Sequence, residues 1–389
     1  MDTLSLQEAG RATAAGDFAT AQAVLEQLVA REPGHVVAWL NLAAVRRQRD
    51  MLVEAYDALR RALRIDSRNF PALLMSASLL ERMGRDAEAA QAYGIAIAQA
   101  PPDKALDLPT QRALQHARET HGRHVARQRE FVRERSAEAR RECTDDGQRR
   151  LDAFIDTSLR LRRRFTQAPT DYFYSGLPNT GFWDRDEFSW LPGLEAATAD
   201  IQAELAEVLR ADHGGFSPYV HYPDHAPLDQ WRELNNSPMW TSYNFFEGGK
   251  ANAARCARAP KTMAAIAQIP QPAVNGRSPA ALFSLLRPHT RIPPHTGVAN
   301  FRLLVHLPLI LPGQCHFRVG SETREWRMGE AWVFDDTIEH EAWNDSDLLR
   351  VILICDLWNP RLRADEREAI ARIIAASDEF TGVTPDATV

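Results

Sequence analysis

The sequence predicts a multidomain protein of mixed α and β class, an N-terminal α-helical repeat solenoid followed by a double-sheet β domain of jelly-roll form. Three observations predict it. The first third repeats at an offset of 34 residues with helical apolar spacing. The next stretch is rich in Arg, Glu and Gln and lacks strand-like runs. After Pro169 the texture changes to aromatics, prolines and short apolar runs. At 389 residues the chain exceeds one ordinary core. The expected division is residues 1–105, 106–165 and 166–389.

The repeat aligns Ala21, Ala55 and Ala89, and then Leu25, Leu59 and Tyr93. Three copies are visible. Each is expected to begin near a turn, at residues 15–17, 49–50 and 84–85, and to end near Pro33, Ser67 and Pro101. The small Ala positions let paired helices approach closely. The segment GDFATAQAVLEQLVAREPGHVVAWLNLAAV resembles a tetratricopeptide repeat, with the usual aromatic positions only partly filled, and the likeness covers roughly residues 3–102. Stacked helix pairs of this kind form a concave groove suited to an extended peptide. A spacer or dimerisation element is an equal reading, because nothing in the sequence identifies a groove ligand.

From Leu106 to Arg164 the Arg cluster in HVARQREFVRERSAEARREC is interleaved with Glu, as on a solvated linking helix rather than a nucleic-acid patch. The net charge of -6 gives no attraction to nucleic acid or anionic lipid. The first residues have no apolar stretch long enough for a signal peptide, and no later run is long enough to span a membrane. The expectation is a cytoplasmic protein with neither a nucleic-acid nor a membrane partner. Cys143, Cys256, Cys315 and Cys355 lie far apart with no Cys-x-x-Cys pair, so reduced thiols are expected rather than a disulfide framework or zinc knuckle.

In the C-terminal region the expected strands are 281–286, 301–310, 314–319, 331–335 and 349–357, punctuated by Pro293, Pro294, Pro312, Gly313 and Gly329. Such strands suit a double-sheet jelly roll whose mouth holds a small-molecule site. Two histidines stand at strand ends, His295 in IPPHTGVANFRLLVHL and His340 in WVFDDTIEHEAWND, with Arg350 ten residues beyond the second. An imidazole pair from two facing strands, leaving other positions open, suits an oxygen-activating ferrous centre that takes a bidentate keto acid and then O2. A basic residue deeper in the barrel would bind a distal carboxylate by charge-assisted hydrogen bonds. On the run 301–307, Arg302, Leu304 and His306 share one face, which would point inward.

Through HTGVANFRLLVHL, FDDTIEHEAWN and RVILICDLWNP, the sequence resembles the aspartyl/asparaginyl β-hydroxylase family over about residues 240–360, and more weakly through the upstream DYFYSGLPNTGFW. The resemblance implies a cupin-like double-stranded β-helix binding Fe(II) through His295 and His340. It places Gly297 where many related oxygenases carry a carboxylate. Either a water takes that ligand's place or Asp335 or Asp336 acts as an outer-sphere partner. For 2-oxoglutarate, the resemblance implies Arg350 and Ser284 at the distal carboxylate, His306 near the carboxylate beside the keto group, and Trp240 bordering the pocket. The family often has an arginine where this chain has Leu304. That departure leaves Arg302 or another basic residue to compensate, or the co-substrate seated differently or changed.

The implied activity is hydroxylation of an unactivated carbon, with the β-carbon of an Asp or Asn residue in a polypeptide as the first expectation and the repeats as a recruiting element. A small molecule, a carrier-bound amino acid or a lipid is the alternative substrate. A repeat-based scaffold with a non-catalytic oxygenase domain is the competing non-enzymatic reading. His221, His289 and His316 are expected as surface or hydrogen-bonded residues, and Asn300 and Asn344 as turn formers. Arg350 has the competing role of pairing with Asp335 or Asp356.

Overall fold

In the computed structural model, which describes residues 2–223 and 225–382, the chain divides into two units between Leu159 and Arg160. Among the described residues the first unit is wholly helical: α1 (Asp2–Ala14), α2 (Phe18–Arg31), α3 (Val36–Gln48), α4 (Leu52–Ile65), α5 (Phe70–Arg82), α6 (Asp86–Ala98), α7 (Leu108–Arg140) and α8 (Asp145–Ser158), with a 3-10 turn before α7. Ala21, Ala55 and Ala89 are fully buried. Their missing side-chain bulk lets successive helices approach, and Leu25, Leu28, Leu42 and Leu59 fill the space between them.

The most extensive pairings are α1 with α2, α3 with α4, and α5 with α6. The turns expected to open each repeat therefore lie inside the hairpins, and the true units start half a period earlier. The physical reason is the tight reversal itself, which puts Gly16, Asp50 and Gly84 at φ 78°, 59° and 73°. These strong turn signals mark the middle of a unit, not its edge. Helix starts are capped by side chains of Asp17, His35, Asn69, Asp107 and Thr144. The Arg-rich α7 is tied to α8 by Arg129 with Asp156 and by Arg140 with Asp152, so its interleaved charges pair within the unit.

Among the described residues the second unit is built on twelve short strands: β1 (Ser217–Pro218), β2 (Trp240–Asn244), β3 (Phe246–Glu247), β4 (Lys250–Ala251), β5 (Ala281–Leu286), β6 (Thr290–His295), β7 (Arg302–Ile310), β8 (Cys315–Val319), β9 (Glu322–Glu325), β10 (Trp332–Phe334), β11 (His340–Asn344) and β12 (Arg350–Trp358). Ten form two antiparallel sheets, ordered β1-β2-β5-β12-β7-β10 and β6-β11-β8-β9, while β3 and β4 make a separate ribbon. One apolar cluster lies between the sheets, with Leu282, Leu304 and Ile352 from the larger meeting Ile292, Phe317 and Ala342 from the smaller. The outer face of the larger sheet, including Leu303, Val305 and Leu307, packs against helices Leu191–Ala196, Thr198–Ala211 and Pro260–Ile266. Residue parity on β7 thus follows the expected alternation.

The C-terminal helix Ala364–Thr381 sets Ile370 and Ile374 against Phe301 and Trp358. Among the described residues no helix is long and apolar enough to cross a membrane. All four cysteines are free.

Candidate active site

His295 ends β6, His340 begins β11, and the two are direct register partners. Their strands are hydrogen-bonded neighbours in the four-stranded sheet. The rings stand 4.0 Å apart between centroids at 52°. Each Nδ1 faces the carbonyl two residues upstream, Pro293 O at 2.8 Å and Ile338 O at 3.1 Å. A carbonyl can only accept, so each Nδ1 carries the proton and each Nε2 keeps a lone pair. Burial favours neutral imidazole, lowering His295 to about 4 and His340 well below its ordinary value. Two neutral rings with fixed tautomers form a donor set suited to a divalent transition metal.

A third protein ligand is sterically forbidden where the resemblance put Gly297. A Cβ there would lie 2.0 Å from Asp336 Oδ2. Asp336 fills that volume, and its carbonyl accepts from Gly297 N at 2.7 Å. Among the described residues no group of three or more His, Cys, Asp or Glu could hold a metal. Burial pushes Asp336 up to about 6, against the pull of Arg302, and its Oδ1 is buried without a hydrogen-bond partner.

Arg350 lies inside the same barrel, 2% exposed. Burial lowers it to about 10. It forms no salt bridge with a described residue: Asp335 is engaged by Gln167 and Thr337, and Asp356 by Ser278, Gln271 and Ala280 N. Its guanidinium sits 5.0 Å over the Trp326 ring, and its Nε has no partner. His306 is buried and held well below its ordinary value, first by desolvation and then by the Arg350 charge; its Nδ1 is also without a partner. Unsatisfied buried polar atoms are costly, and their concentration between two sheets marks a place prepared for a polar ligand.

Ser284 is fully buried on β5 and receives a hydrogen bond from Trp240 Nε1 at 3.0 Å. That contact fills an acceptor site on Oγ and leaves the hydroxyl proton available to an anion. Trp240 is stacked on Tyr219 at 3.8 Å, Trp231 lies 6.2 Å from Trp240, and Trp231 meets His295 edge-on at 5.0 Å. The aromatic wall thus runs from Ser284 to His295. Tyr219 and Trp231 escape sequence reasoning because they sit in the irregular run before β2, where no periodicity reports their direction.

Arg302 points between the sheets but is engaged there, 3.3 Å from Asp336 and 4.0 Å from Asp356. Leu304 beside it is 6% exposed within the apolar cluster. His289 and His316 lie outside this group, facing Asp347 and Glu325, and His221 is exposed.

Two antiparallel sheets enclosing the histidine pair and a buried arginine give the β unit the form of a double-stranded β-helix. Residues 195–360 match the family model described as Aspartyl/Asparaginyl beta-hydroxylase. The human "Aspartyl/asparaginyl beta-hydroxylase" is 35% identical over 147 residues, 38% of this chain and 19% of that protein. "Aspartate beta-hydroxylase domain-containing protein 2" of Mus musculus is 29% identical over 214 residues, 54% of this chain and 60% of that one. "Ornithine lipid ester-linked acyl 2-hydroxylase" of Rhizobium tropici is 30% identical over 190 residues, 48% of this chain and 63% of that one. Over these residues the β unit is similar to the aspartyl/asparaginyl β-hydroxylase family. The chain spans about a fifth of the human relative's length and three fifths of the mouse one's.

Proposed function

We propose that the chain is a Fe(II)- and 2-oxoglutarate-dependent dioxygenase that hydroxylates an unactivated carbon. The observation that carries this reading is the presence, inside one barrel, of two neutral imidazoles whose Nε2 atoms keep a lone pair and a buried arginine without an acidic partner among the described residues. Ferrous iron, when bound, supplies O2 activation coupled to oxidative decarboxylation of the keto acid to succinate and CO2. His295 and His340 hold it through Nε2. Arg350 and the Ser284 hydroxyl bind the distal carboxylate of 2-oxoglutarate, and His306 lies beside the inner one. Trp240 fixes the Ser284 hydroxyl. Asp336, occupying the space a side chain at position 297 would need, would be an outer-sphere partner of a metal held by the two histidines. The aromatic wall and the apolar interior exclude bulk water, which strengthens each of these contacts.

The family resemblance favours the β-carbon of an aspartyl or asparaginyl residue in a polypeptide, which the helical unit recruits. One observation favours a second reading, an uncharged aliphatic substrate: Arg302 is already held by two carboxylates, Asp336 and Asp356, and so does not stand ready for a substrate carboxylate. The relative named as an acyl hydroxylase shows that the family name alone does not fix the substrate.

Anaerobic addition of Fe(II) and then 2-oxoglutarate tests the reaction class. A weak visible charge-transfer band is expected in the wild type and not in His340→Ala, with succinate released once O2 and a substrate are supplied. A wild type that holds stoichiometric iron and gives no band overturns the co-substrate assignment.

A further inference from the structure

We infer that Gln167, upstream of the residues that match the family, is a positioning residue for the metal site. It rests on the reading of His295 and His340 as ligands. The loop after His295 and the loop before His340 are both clamped by one extended segment, residues 167–174. On one side, Ala168 N donates to Thr337 O at 2.7 Å and Gln167 pairs with Ile338. On the other, Thr170 N donates to Gly297 O at 3.0 Å, Tyr172 N to Val298 O at 2.9 Å, and Asn300 N to Tyr172 O at 3.3 Å. The segment lies between the two ligand-bearing loops and hydrogen-bonds to each.

The Gln167 side chain repeats that connection with a single amide. Its Nε2 donates to Asp335 Oδ2 at 2.5 Å and to Pro178 O at 3.2 Å, and its Oε1 accepts from Asn300 Nδ2 at 3.0 Å. Asp335 precedes His340 by five residues and Asn300 follows His295 by five. Both are fully buried. A carboxamide donates at one end and accepts at the other, whereas an ionised carboxylate only accepts, so the site suits Gln rather than ionised Glu. The other ends are fixed too: Asp335 Oδ1 accepts from Thr337 N at 2.9 Å and Thr337 Oγ1 at 2.6 Å, and Asn300 Oδ1 accepts from Tyr174 N at 2.7 Å. None of these groups can turn away to satisfy itself. Gln167 therefore sets the spacing of two loops, and that spacing sets the distance between the two Nε2 atoms. Residues that orient metal ligands in this way typically contribute about 10- to 100-fold in metal affinity.

The test uses the full chain and Co(II) as a spectroscopic probe of the histidine pair, with affinity read from its visible absorption. Gln167→Met keeps the length and removes all three of these hydrogen bonds; Co(II) affinity is expected to fall at least about tenfold. Asp335→Asn should fall likewise, since its oxygen must stay with Thr337 and its NH2 then confronts the NH2 of Gln167. Combining Gln167→Glu with Asp335→Asn restores the tie between the two loops, because the carboxylate introduced at position 167 accepts both from Asn300 and from the amide introduced at position 335, while the net charge is unchanged and only the donation to Pro178 O is lost. That double variant should regain near wild-type affinity, which a bulk packing role would not produce. Wild-type affinity in Gln167→Met, or a double variant no better than the single ones in affinity or folding, overturns the inference. His340→Ala runs in parallel: Co(II) binding unaltered there refutes the metal reading itself, a failure distinct from that of the clamp.

Discussion

The helical unit and the β unit bury their interiors by opposite means. Among the described residues before Arg160, Ser76 is the one buried polar side chain, in a core otherwise made of Ala, Leu, Val, Ile, Phe and Tyr. The β unit buries Arg302, Arg350, Asp335, Asp336, Asp356, His306 and His340. An interior of the first kind stabilises a fold cheaply. One of the second kind carries desolvation costs of several kcal/mol per ion that packing does not offset. The difference teaches where to look for chemistry: the charged groups that remain unpaired after all local hydrogen bonds are assigned are those a ligand completes.

The largest effect expected on this contrast is in the helical unit. Leu59 is fully buried against neighbours from adjacent helices, so Leu59→Ala should destabilise that unit by about 2–5 kcal/mol. Helical circular dichroism should melt at lower temperature, while the charge-transfer band with Fe(II) and 2-oxoglutarate keeps its wild-type intensity. Loss of the band at temperatures where the helices remain folded would show that the division of labour between the units is wrong.

Arg350 offers an effect of intermediate size and opposite sign. It is buried, lowered to about 10 by desolvation, and without an acidic partner among the described residues. Replacing such a group with an apolar residue of similar length removes the cost. Arg350→Met should therefore stabilise the ligand-free protein by on the order of 1–2 kcal/mol, seen as a higher melting temperature, and should largely abolish 2-oxoglutarate binding. A variant that is less stable and still binds the co-substrate would identify Arg350 as a structural ion and remove it from the site.

Much of this contrast was legible in the sequence because it rests on short-range pattern. The runs that became β5, β7, β8, β10 and β12 are apolar or alternating, and the structure places their ends within a residue of expectation. The strands that gave no signal have physical excuses. Thr290–His295 carries Pro293 and Pro294 and is tolerated because β6 lies at the sheet edge. Glu322–Glu325 is entirely polar, also at an edge. The phase of the repeats was hidden because a hairpin's inner turn looks like a boundary. What could not be read were the non-local ties: Arg302 engaged by Asp336 and Asp356, Trp231 against His295, and Gln167 spanning Asp335 and Asn300. Each joins residues whose closeness exists only after the sheets close.

The smallest effect returns to the helical unit, where equivalent positions of successive repeats act as controls for one another. Asn69 caps α5 by accepting from Ala72 N at 3.1 Å, and at the equivalent position His35 Nδ1 accepts from Ala38 N at 3.3 Å. Asn69→Ala should cost about 1 kcal/mol and Asn69→Gly only a few tenths, since glycine tolerates the cap conformation and leaves the amides open to water. Urea midpoints for the two variants check the order. If Ala and Gly cost the same, the side-chain hydrogen bond is not what holds this helix start, and the start of α5 is set by packing of Phe70 and Leu73 instead.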